Sequence, residues 1–219
     1  MSELSKDFGD AAVVGPLTLE VADGERVVVI GHNGSGKTTL LRMVAGLLEP
    51  STGSASVDAH PVGSIEARAA TSYLADQPVF YDDLSVREHL EFIARLHGRD
   101  EWAADADELL DRLALTDRAD HLPRTFSRGL RQRVAIAVAM IRPFSLLLVD
   151  EPFVGLDRTG REALLALLAQ AHRRGASLLV ATHELTTVSA SDRVIALRDG
   201  VIVFDGPATS AAVDDLTMK

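Results

Sequence analysis

The stretch that decides the fold is Gly31–Thr38, which reads GHNGSGKT and directly follows the apolar run Arg26–Ile30 (RVVVI). It fits the pattern G-x-x-x-x-G-K-[ST], which joins a buried strand to a helix. The glycines let backbone N–H groups turn towards a phosphate, and the N-terminus of the following helix adds its positive end. The pattern therefore predicts a nucleotide phosphate site at the start of a helix.

The polar side chains of this loop have separate expected roles. Lys37 is expected to reach the β- and γ-phosphate oxygens, and the Thr38 hydroxyl is a hard ligand suited to Mg²⁺. Asn33 is the only asparagine in the chain, which excludes the N-K-x-D motif that guanine-specific proteins use to read their base. We therefore expect the base to be adenine.

The composition excludes several other classes of protein. The 219-residue chain has no cysteine, so disulfides, thiolate zinc sites and cysteine nucleophiles are ruled out. Its net charge of −10 argues against a broad nucleic-acid-binding face. The longest apolar run, Val134–Ile141, is far shorter than the roughly 20 residues of a membrane-spanning helix, and the N-terminus MSELSKDFGD does not resemble a secretory signal. We expect one soluble, cytoplasmic domain over residues 1–219.

Hydrophobic patterning predicts an α/β plan in which a helical block interrupts the alternation of strands and helices. The capping box Ser85–Glu88 marks one helix start, and the Asp-Gly turn at 199–200 indicates a hairpin. The Asp-Gly turn at 23–24 also favours an antiparallel hairpin, whereas the uninterrupted VVVI that follows it favours a strand buried on both faces. Predicted helices cover residues 38–48, 86–96, 105–115, 130–141 and 158–174, and predicted strands cover 17–21, 26–30, 146–149, 178–181, 194–197 and 201–204.

Polar residues follow two of these strands. Asp150 and Glu151 come directly after an apolar strand, and Thr182-His183 follows the next one. A phosphate-loop ATPase needs one carboxylate near Mg²⁺ and one group to orient or deprotonate the attacking water. Because ligands collect at the carboxyl ends of parallel strands, we expect His183 to face the same crevice as Glu151.

In this order, the motifs resemble those of the ATP-binding cassette (ABC) family over nearly the whole chain. Gly31–Thr39 resembles its Walker A motif, Leu146–Glu151 its Walker B motif, and Gly155–Asp157 its D-loop. Thr125–Arg133 (TFSRGLRQR) resembles the signature segment, usually L-S-G-G-Q followed by a helix, which separates this family from other phosphate-loop ATPases. The resemblance implies a RecA-like core, a small antiparallel β lobe and an inserted α-helical lobe over about residues 80–142.

The resemblance also implies ATP and Mg²⁺ as ligands and assigns residues to three roles. The catalytic residues are Lys37, Glu151 and His183, and the metal-contacting residues are Thr38, Gln77 and Asp150. In this family the signature of one chain contacts the γ-phosphate held by its partner, so two cassettes enclose two nucleotides. The nucleotide-contacting residues are Phe8, Gly31, Asn33, Gly34, Ser35, Gly36, Lys37, Thr38, Thr39, Gln77, Ser127, Gly129 and Asp157.

The start of the predicted signature helix has its own electrostatics. Ser127 is expected to cap this helix. Three arginines near the start, Arg128, Arg131 and Arg133, oppose the helix dipole. Two interpretations stay open: the arginines are simply solvated, or a phosphate from another chain relieves the conflict.

The chain departs from the family pattern at four positions. Arg128 replaces the first signature glycine, Leu130 replaces its glutamine, and Phe8 stands where an adenine-stacking tyrosine is usual. Asp76 occupies the Q-loop glutamine position, with Gln77 one residue later. We assign the Q-loop role to Gln77 and keep Asp76, a hard oxygen ligand, as the alternative.

The leading functional hypothesis is the ATP-hydrolysing subunit of a membrane transporter, held on the inner face of the cell membrane by separate transmembrane subunits. Residues after the Q-loop, Phe80, Tyr81, Leu84 and helix 86–96, are the candidate docking surface, with ordinary core packing as the alternative. The alternative hypothesis is a soluble cassette ATPase that acts on ribosomes or DNA. The signature segment and the D-loop disfavour a third class, a small-molecule kinase. The segment Tyr81–Glu88 and the signature look exporter-like, although import stays open.

Overall fold

The fold is built from eleven strands and six α-helices within the described part of the chain. The computed structural model describes residues 1–9, 11–183 and 191–208. The strands are β1 (Ser2–Phe8), β2 (Ala11–Leu17), β3 (Arg26–Ile30), β4 (Thr52–Ser54), β5 (Ser56–Val57), β6 (His60–Pro61), β7 (Thr71–Leu74), β8 (Leu146–Asp150), β9 (Ser177–Ala181), β10 (Arg193–Arg198) and β11 (Val201–Pro207). The helices are α1 (Lys37–Val44), α2 (Ile65–Ala70), α3 (Val86–Leu96), α4 (Ala103–Arg112), α5 (Arg128–Met140) and α6 (Arg158–Arg173).

A six-stranded sheet forms the centre, in the order β11-β10-β3-β9-β8-β7. Its neighbours are parallel except for the β10–β11 hairpin. Both faces of β3 are buried: Val28 and Ile30 join one hydrophobic cluster, whereas Val27 and Val29 join another on the opposite face. Burial on both faces explains why this strand reads as a continuous apolar run rather than as an alternating one.

A small antiparallel sheet, in the order β2-β1-β4, packs on the face of the central sheet that carries α1. Leu4 and Val14 of this sheet are fully buried in the same cluster as Leu40 and Leu41 of α1. The antiparallel strands therefore cover the helix that opens at the phosphate loop.

The helices α3, α4 and α5 lie between β7 and β8 in the chain and share the cluster on the opposite face. Ser85 caps α3 in the predicted capping box with Glu88. Within the described ranges, no helix is long and apolar enough to cross a membrane. The extent of a helical lobe over about 80–142 stays a prediction.

The predicted fold class is confirmed, and so is the hairpin at Asp199-Gly200, where β10 and β11 pair antiparallel. At Asp23-Gly24 the hairpin interpretation is wrong, and the alternative, a following strand buried on both faces, is confirmed. Residues 18–22 form no strand, and β3 instead pairs in parallel with β9 and β10. The first helix ends at Val44 rather than near Pro50, because the chain turns at Gly46, whose φ is +71°.

Candidate functional site

The phosphate loop is a tight turn whose glycines have conformations that favour glycine. Gly34 and Gly36 have φ values of +84° and +101°. A Cβ at Gly36 would lie 2.7 Å from the carbonyl oxygen of Val13, because β2 passes directly over the loop. Gly36 immediately precedes α1 and has no side chain to cap it, so the first N–H groups of that helix are left for a ligand.

Lys37 lies at the centre of the loop and is only 6 % exposed. Its ammonium group donates hydrogen bonds to the carbonyl oxygens of Gly31 (2.8 Å) and His32 (3.2 Å). The Nζ atom also lies 3.6 Å from Oε1 of Glu151. A buried ammonium held at the mouth of an N–H-lined loop is suited to binding phosphate oxygens through charge-assisted hydrogen bonds.

Asp150 ends β8 and is almost completely buried, at 1 % exposed. Its Oδ1 accepts a hydrogen bond from the Thr38 hydroxyl (3.1 Å), and its Oδ2 accepts one from the Tyr73 hydroxyl (3.2 Å). Burial raises the pKa of Asp150, and the two hydrogen bonds partly offset this rise because they stabilise the charged carboxylate. A carboxylate in this setting favours a cation beside it, since the cation would offset the lost solvation.

The donor set fits Mg²⁺. Thr38 donates its proton to Asp150, so the hydroxyl oxygen keeps lone pairs for a hard cation. The residues that the structure describes hold no group of three or more His, Cys, Asp or Glu side chains able to enclose a metal. One hydroxyl and one carboxylate suit Mg²⁺, which retains waters and takes phosphate oxygens as its other ligands.

Glu151 and His183 form a hydrogen-bonded pair next to this carboxylate. His183 Nδ1 lies 2.8 Å from Oε2 of Glu151, as expected for residues that follow the adjacent strands β8 and β9. The backbone of Glu151 has a φ of +43°, and its N–H donates to the carbonyl oxygen of Ala181. The hydrogen bond to Ala181, at the end of β9, stabilises this unusual backbone angle. In this conformation the Glu151 carboxylate lies between Lys37 and His183.

A second group of predicted residues surrounds the start of α5. Ser127 caps this helix by accepting a hydrogen bond from the N–H of Leu130. Gly129 packs so closely on the D-loop that a Cβ there would lie 2.5 Å from the Gly155 carbonyl oxygen. Asp157 caps α6 and pairs with Arg133 at 2.6 Å. The signature and D-loop residues of one chain therefore form a single packed unit.

The three arginines at this helix start have different surroundings, and Arg131 lines a cleft with Gln132. Arg133 is buried, and it also donates to the carbonyl oxygen of Leu113, so it is a structural link rather than a solvated charge. Arg128 is more than half exposed and pairs with Asp76. Within the described residues, no hydrogen bond or ion pair joins Ser127 to the phosphate loop of the same chain.

Asp76 and Gln77, the two candidates for the Q-loop role, follow β7 and differ in their surroundings. The negative charge of Asp76 is close enough to Asp150 to contribute to the rise in the pKa of that carboxyl. Gln77 is exposed and lines a cleft with Arg131 and Gln132. The assignment of the Q-loop role to Gln77, with Asp76 as the alternative, stays a prediction.

Phe8, the predicted adenine-stacking residue, ends β1 and is 54 % exposed. The Lys6 ammonium lies 5.3 Å from the ring centroid. Strand β1 pairs with β2, whose Val13 contacts the phosphate loop, so the ring stands on the sheet that covers the loop. An exposed aromatic face in this position is available for stacking on a base.

The structure thus places the predicted site residues, apart from Phe8 and Gln77, in two groups. The loop residues Gly31, Asn33, Gly34, Ser35, Gly36, Lys37, Thr38 and Thr39 lie with Asp150, Glu151 and His183 at the carboxyl ends of β3, β8 and β9, and Ser127, Gly129 and Asp157 lie in the other group. Sequence reasoning missed the roles of Tyr73 and Arg133. Because successive side chains of a strand point to opposite faces, the sequence of β7 could have placed Tyr73 on one face of the sheet. The sequence does not identify Asp150 as its hydrogen-bond partner.

We expect Gly36→Ala to destabilise the fold by about 2–4 kcal/mol, since it combines strain at positive φ with a backbone clash. Urea unfolding measures the change. Gly98→Ala is the matched control, because Gly98 has a φ of +72° but a Cβ there would meet no atom within 4 Å. Equal losses for the two variants would contradict the role assigned to the close approach of Val13.

Comparison with known proteins gives a consistent result. The sequence model of the family described as "ABC transporter" matches residues 14–154. An ABC transporter ATP-binding protein of Halobacterium salinarum is 41 % identical over 205 residues, covering 91 % of this chain and 88 % of the relative. The SkfA peptide export ATP-binding protein SkfE of Bacillus subtilis is 34 % identical over 208 residues, covering 94 % of this chain and 87 % of the relative.

A solved structure of an ATP-binding cassette is also similar to this chain in its fold. It is a dimeric ATP-binding cassette in a post-hydrolysis state with bound ADP and Pi. The two folds superpose with a TM-score of 0.85 at 25 % identity, covering 94 % of this chain and 97 % of the other.

Proposed function

Because the chain belongs to the ABC transporter family and is an ATP-binding, ATP-hydrolysing cassette, we propose that it drives a membrane transporter through ATP-dependent pairing of two cassettes. The observation that carries this proposal is the arrangement of Lys37, Asp150, Glu151 and His183 around the phosphate loop. The similarity to ABC transporter ATP-binding proteins supports the part of the proposal that couples this hydrolysis to transport.

The loop group and Phe8 together supply the groups that ATP hydrolysis needs. The loop N–H groups and Lys37 hold the β- and γ-phosphates, and Phe8 stacks on adenine. Thr38 and Asp150 would hold Mg²⁺, which would supply positive charge beside the phosphates. Glu151 orients and deprotonates the attacking water, and the hydrogen bond from His183 fixes the position of its carboxylate.

The signature group acts on the nucleotide of a second copy. Ser127 and the first N–H groups of α5 form an anion-binding helix start, which is not bonded to the phosphate loop of its own chain among the described residues. A γ-phosphate held by the partner would fill it. The dimeric cassette with ADP and Pi supports this pairing.

The surface after the Q-loop is the proposed contact with a transmembrane subunit. Val79 and Tyr81 are 94 % and 56 % exposed, and the Tyr81 ring packs edge-on against Phe92. Phe80 instead packs on the main hydrophobic cluster, in agreement with the core-packing alternative. An exposed apolar patch of this kind is typical of a protein interface. The chain would then lie on the inner face of the membrane, held by its partner.

We propose export as the direction of transport. The SkfE relative, named as a peptide export protein, supports this direction. A soluble cassette acting on ribosomes or DNA is not favoured, given the net charge of −10 and the transporter relatives.

Density-gradient fractionation of source cells that express the tagged chain tests the placement. We expect the chain in the membrane fraction, released by alkaline carbonate because it is held only by a protein partner. Recovery with ribosomes, sensitive to ribonuclease, would contradict the transporter proposal and support the rival.

We expect Arg128→Gly to leave the steady-state rate of ATP hydrolysis within about threefold of the parent, because exposed ion pairs contribute only about 0–1 kcal/mol. The family pattern ordinarily has glycine at this position. A coupled-enzyme assay measures the rate. A loss well beyond threefold would show that the Arg128–Asp76 pair has a catalytic function of its own.

A further inference from the structure

Tyr73 is an aromatic side chain that hydrogen-bonds directly to Asp150. It lies on β7, the neighbour of β8, in register with Leu148. Its ring packs on the hydrophobic cluster that contains α1, and its hydroxyl reaches Oδ2 of Asp150 at 3.2 Å. The ring is therefore held by apolar packing, and the hydroxyl interacts with both the Asp150 carboxylate and the Arg42 side chain.

The two oxygens of Asp150 are held by donors from two different elements. Thr38, on α1, donates to Oδ1, and Tyr73, on β7, donates to Oδ2. One donor would leave the carboxylate free to rotate about its Cβ–Cγ bond, whereas two donors on opposite oxygens fix its plane. Because Asp150 is buried, water cannot readily replace either donor.

We infer that Tyr73 is a positioning residue for the metal site: its hydroxyl fixes the plane of the Asp150 carboxylate so that the Oδ1 edge faces Thr38 and the cation. The inference rests on the proposed function, because it takes Asp150 as the metal-side carboxylate. It goes beyond that proposal by adding a residue outside the assigned nucleotide and metal sets. Oriented outer partners of this kind typically change metal affinity by about 10- to 100-fold.

Only the hydroxyl of Tyr73 carries this role, since the ring is held by apolar packing. Tyr73→Phe removes the donor and keeps the ring. Ser72→Ala is a matched control: it removes a buried hydroxyl from the adjacent position of the same strand, where Ser72 donates to the carbonyl oxygen of Ala139 at 2.8 Å. Both variants lose one hydroxyl group, but only Tyr73→Phe changes the surroundings of Asp150.

The test is a titration with Mn²⁺, followed by electron paramagnetic resonance of the free ion, in the presence of a saturating non-hydrolysable ATP analogue. We expect Tyr73→Phe to weaken Mn²⁺ binding about 10-fold while the affinity for the analogue in EDTA changes less than about twofold. Ser72→Ala should match the parent in both measurements. Excess Mg²⁺ should restore the hydrolysis rate of Tyr73→Phe.

Mn²⁺ affinity within twofold of the parent in Tyr73→Phe, or an equal loss in Ser72→Ala, would overturn the inference. Tyr73→Leu, which also lacks the hydroxyl, gives a second measurement if the phenylalanine variant is poorly folded, and unchanged Mn²⁺ affinity there would overturn the inference as well. If the parent itself bound no Mn²⁺ with the analogue present, the proposed metal site would fail, which is a distinguishable result.

Discussion

Glu151→Gln is expected to lower the steady-state rate of ATP hydrolysis by about 100-fold or more, the usual contribution of a positioned general base. Glutamine has almost the same shape, so it can still contact His183, but its amide cannot take a proton from water. ATP binding should remain, because the loop and Lys37 are unchanged. Rapid-quench measurement of ADP formation and equilibrium binding of a fluorescent ATP analogue separate the two effects.

The matched control for this variant is Glu108→Gln, which neutralises an exposed carboxylate paired with Arg112 on α4. We expect its hydrolysis rate to equal that of the parent. Near-normal turnover by Glu151→Gln would remove Glu151 as the base and leave the chemistry without an assigned proton acceptor.

Lys37→Met is expected to weaken ATP binding about 100-fold, because charge-assisted hydrogen bonds to the triphosphate are worth about 1.5–3 kcal/mol each. Methionine fills most of the buried space of the lysine stem, so the packing of α1 should survive. Isothermal titration calorimetry measures the affinity directly. Hydrolysis should fall in parallel, since little nucleotide would be bound.

Arg173→Gln is the control for Lys37→Met, because it removes one positive charge from the exposed end of α6. Its ATP affinity should match that of the parent. If Lys37→Met also bound ATP with unchanged affinity, the proposed binding of Lys37 to the phosphates would be wrong. Its ammonium group would then bond only to the carbonyl oxygens of the loop.

The parts of this structure that could be predicted from the sequence are those set by local chemistry. The loop Gly31–Thr38 needs glycine and a following helix, and Ser85 and Ser127 both cap helices as their hydroxyls predict. The Asp199-Gly200 turn forms its hairpin because both residues have positive φ, the conformation that a tight turn between twisted strands requires.

The parts that the sequence does not reveal depend on contacts between distant segments. Asp23-Gly24 has the same two residues as the later turn, but β9 and β10 hydrogen-bond to the two edges of β3. No edge of β3 is therefore left for residues 18–22. Tyr73 and Asp150 are 77 positions apart in the chain and meet only because β7 and β8 are neighbours. Local patterns cannot give such pairings, since they are set by the order of the strands.

The central claim is that Ser127 of one copy completes the ATP site of the other. Multi-angle light scattering of Glu151→Gln with Mg²⁺ and ATP tests it most directly, with the double variant Glu151→Gln, Ser127→Arg alongside. We predict twice the monomer mass for the single variant only when ATP is present, and the monomer mass for the double variant, which should still bind ATP. A single variant that stays monomeric at saturating ATP, or a double variant that pairs equally well, would contradict the account.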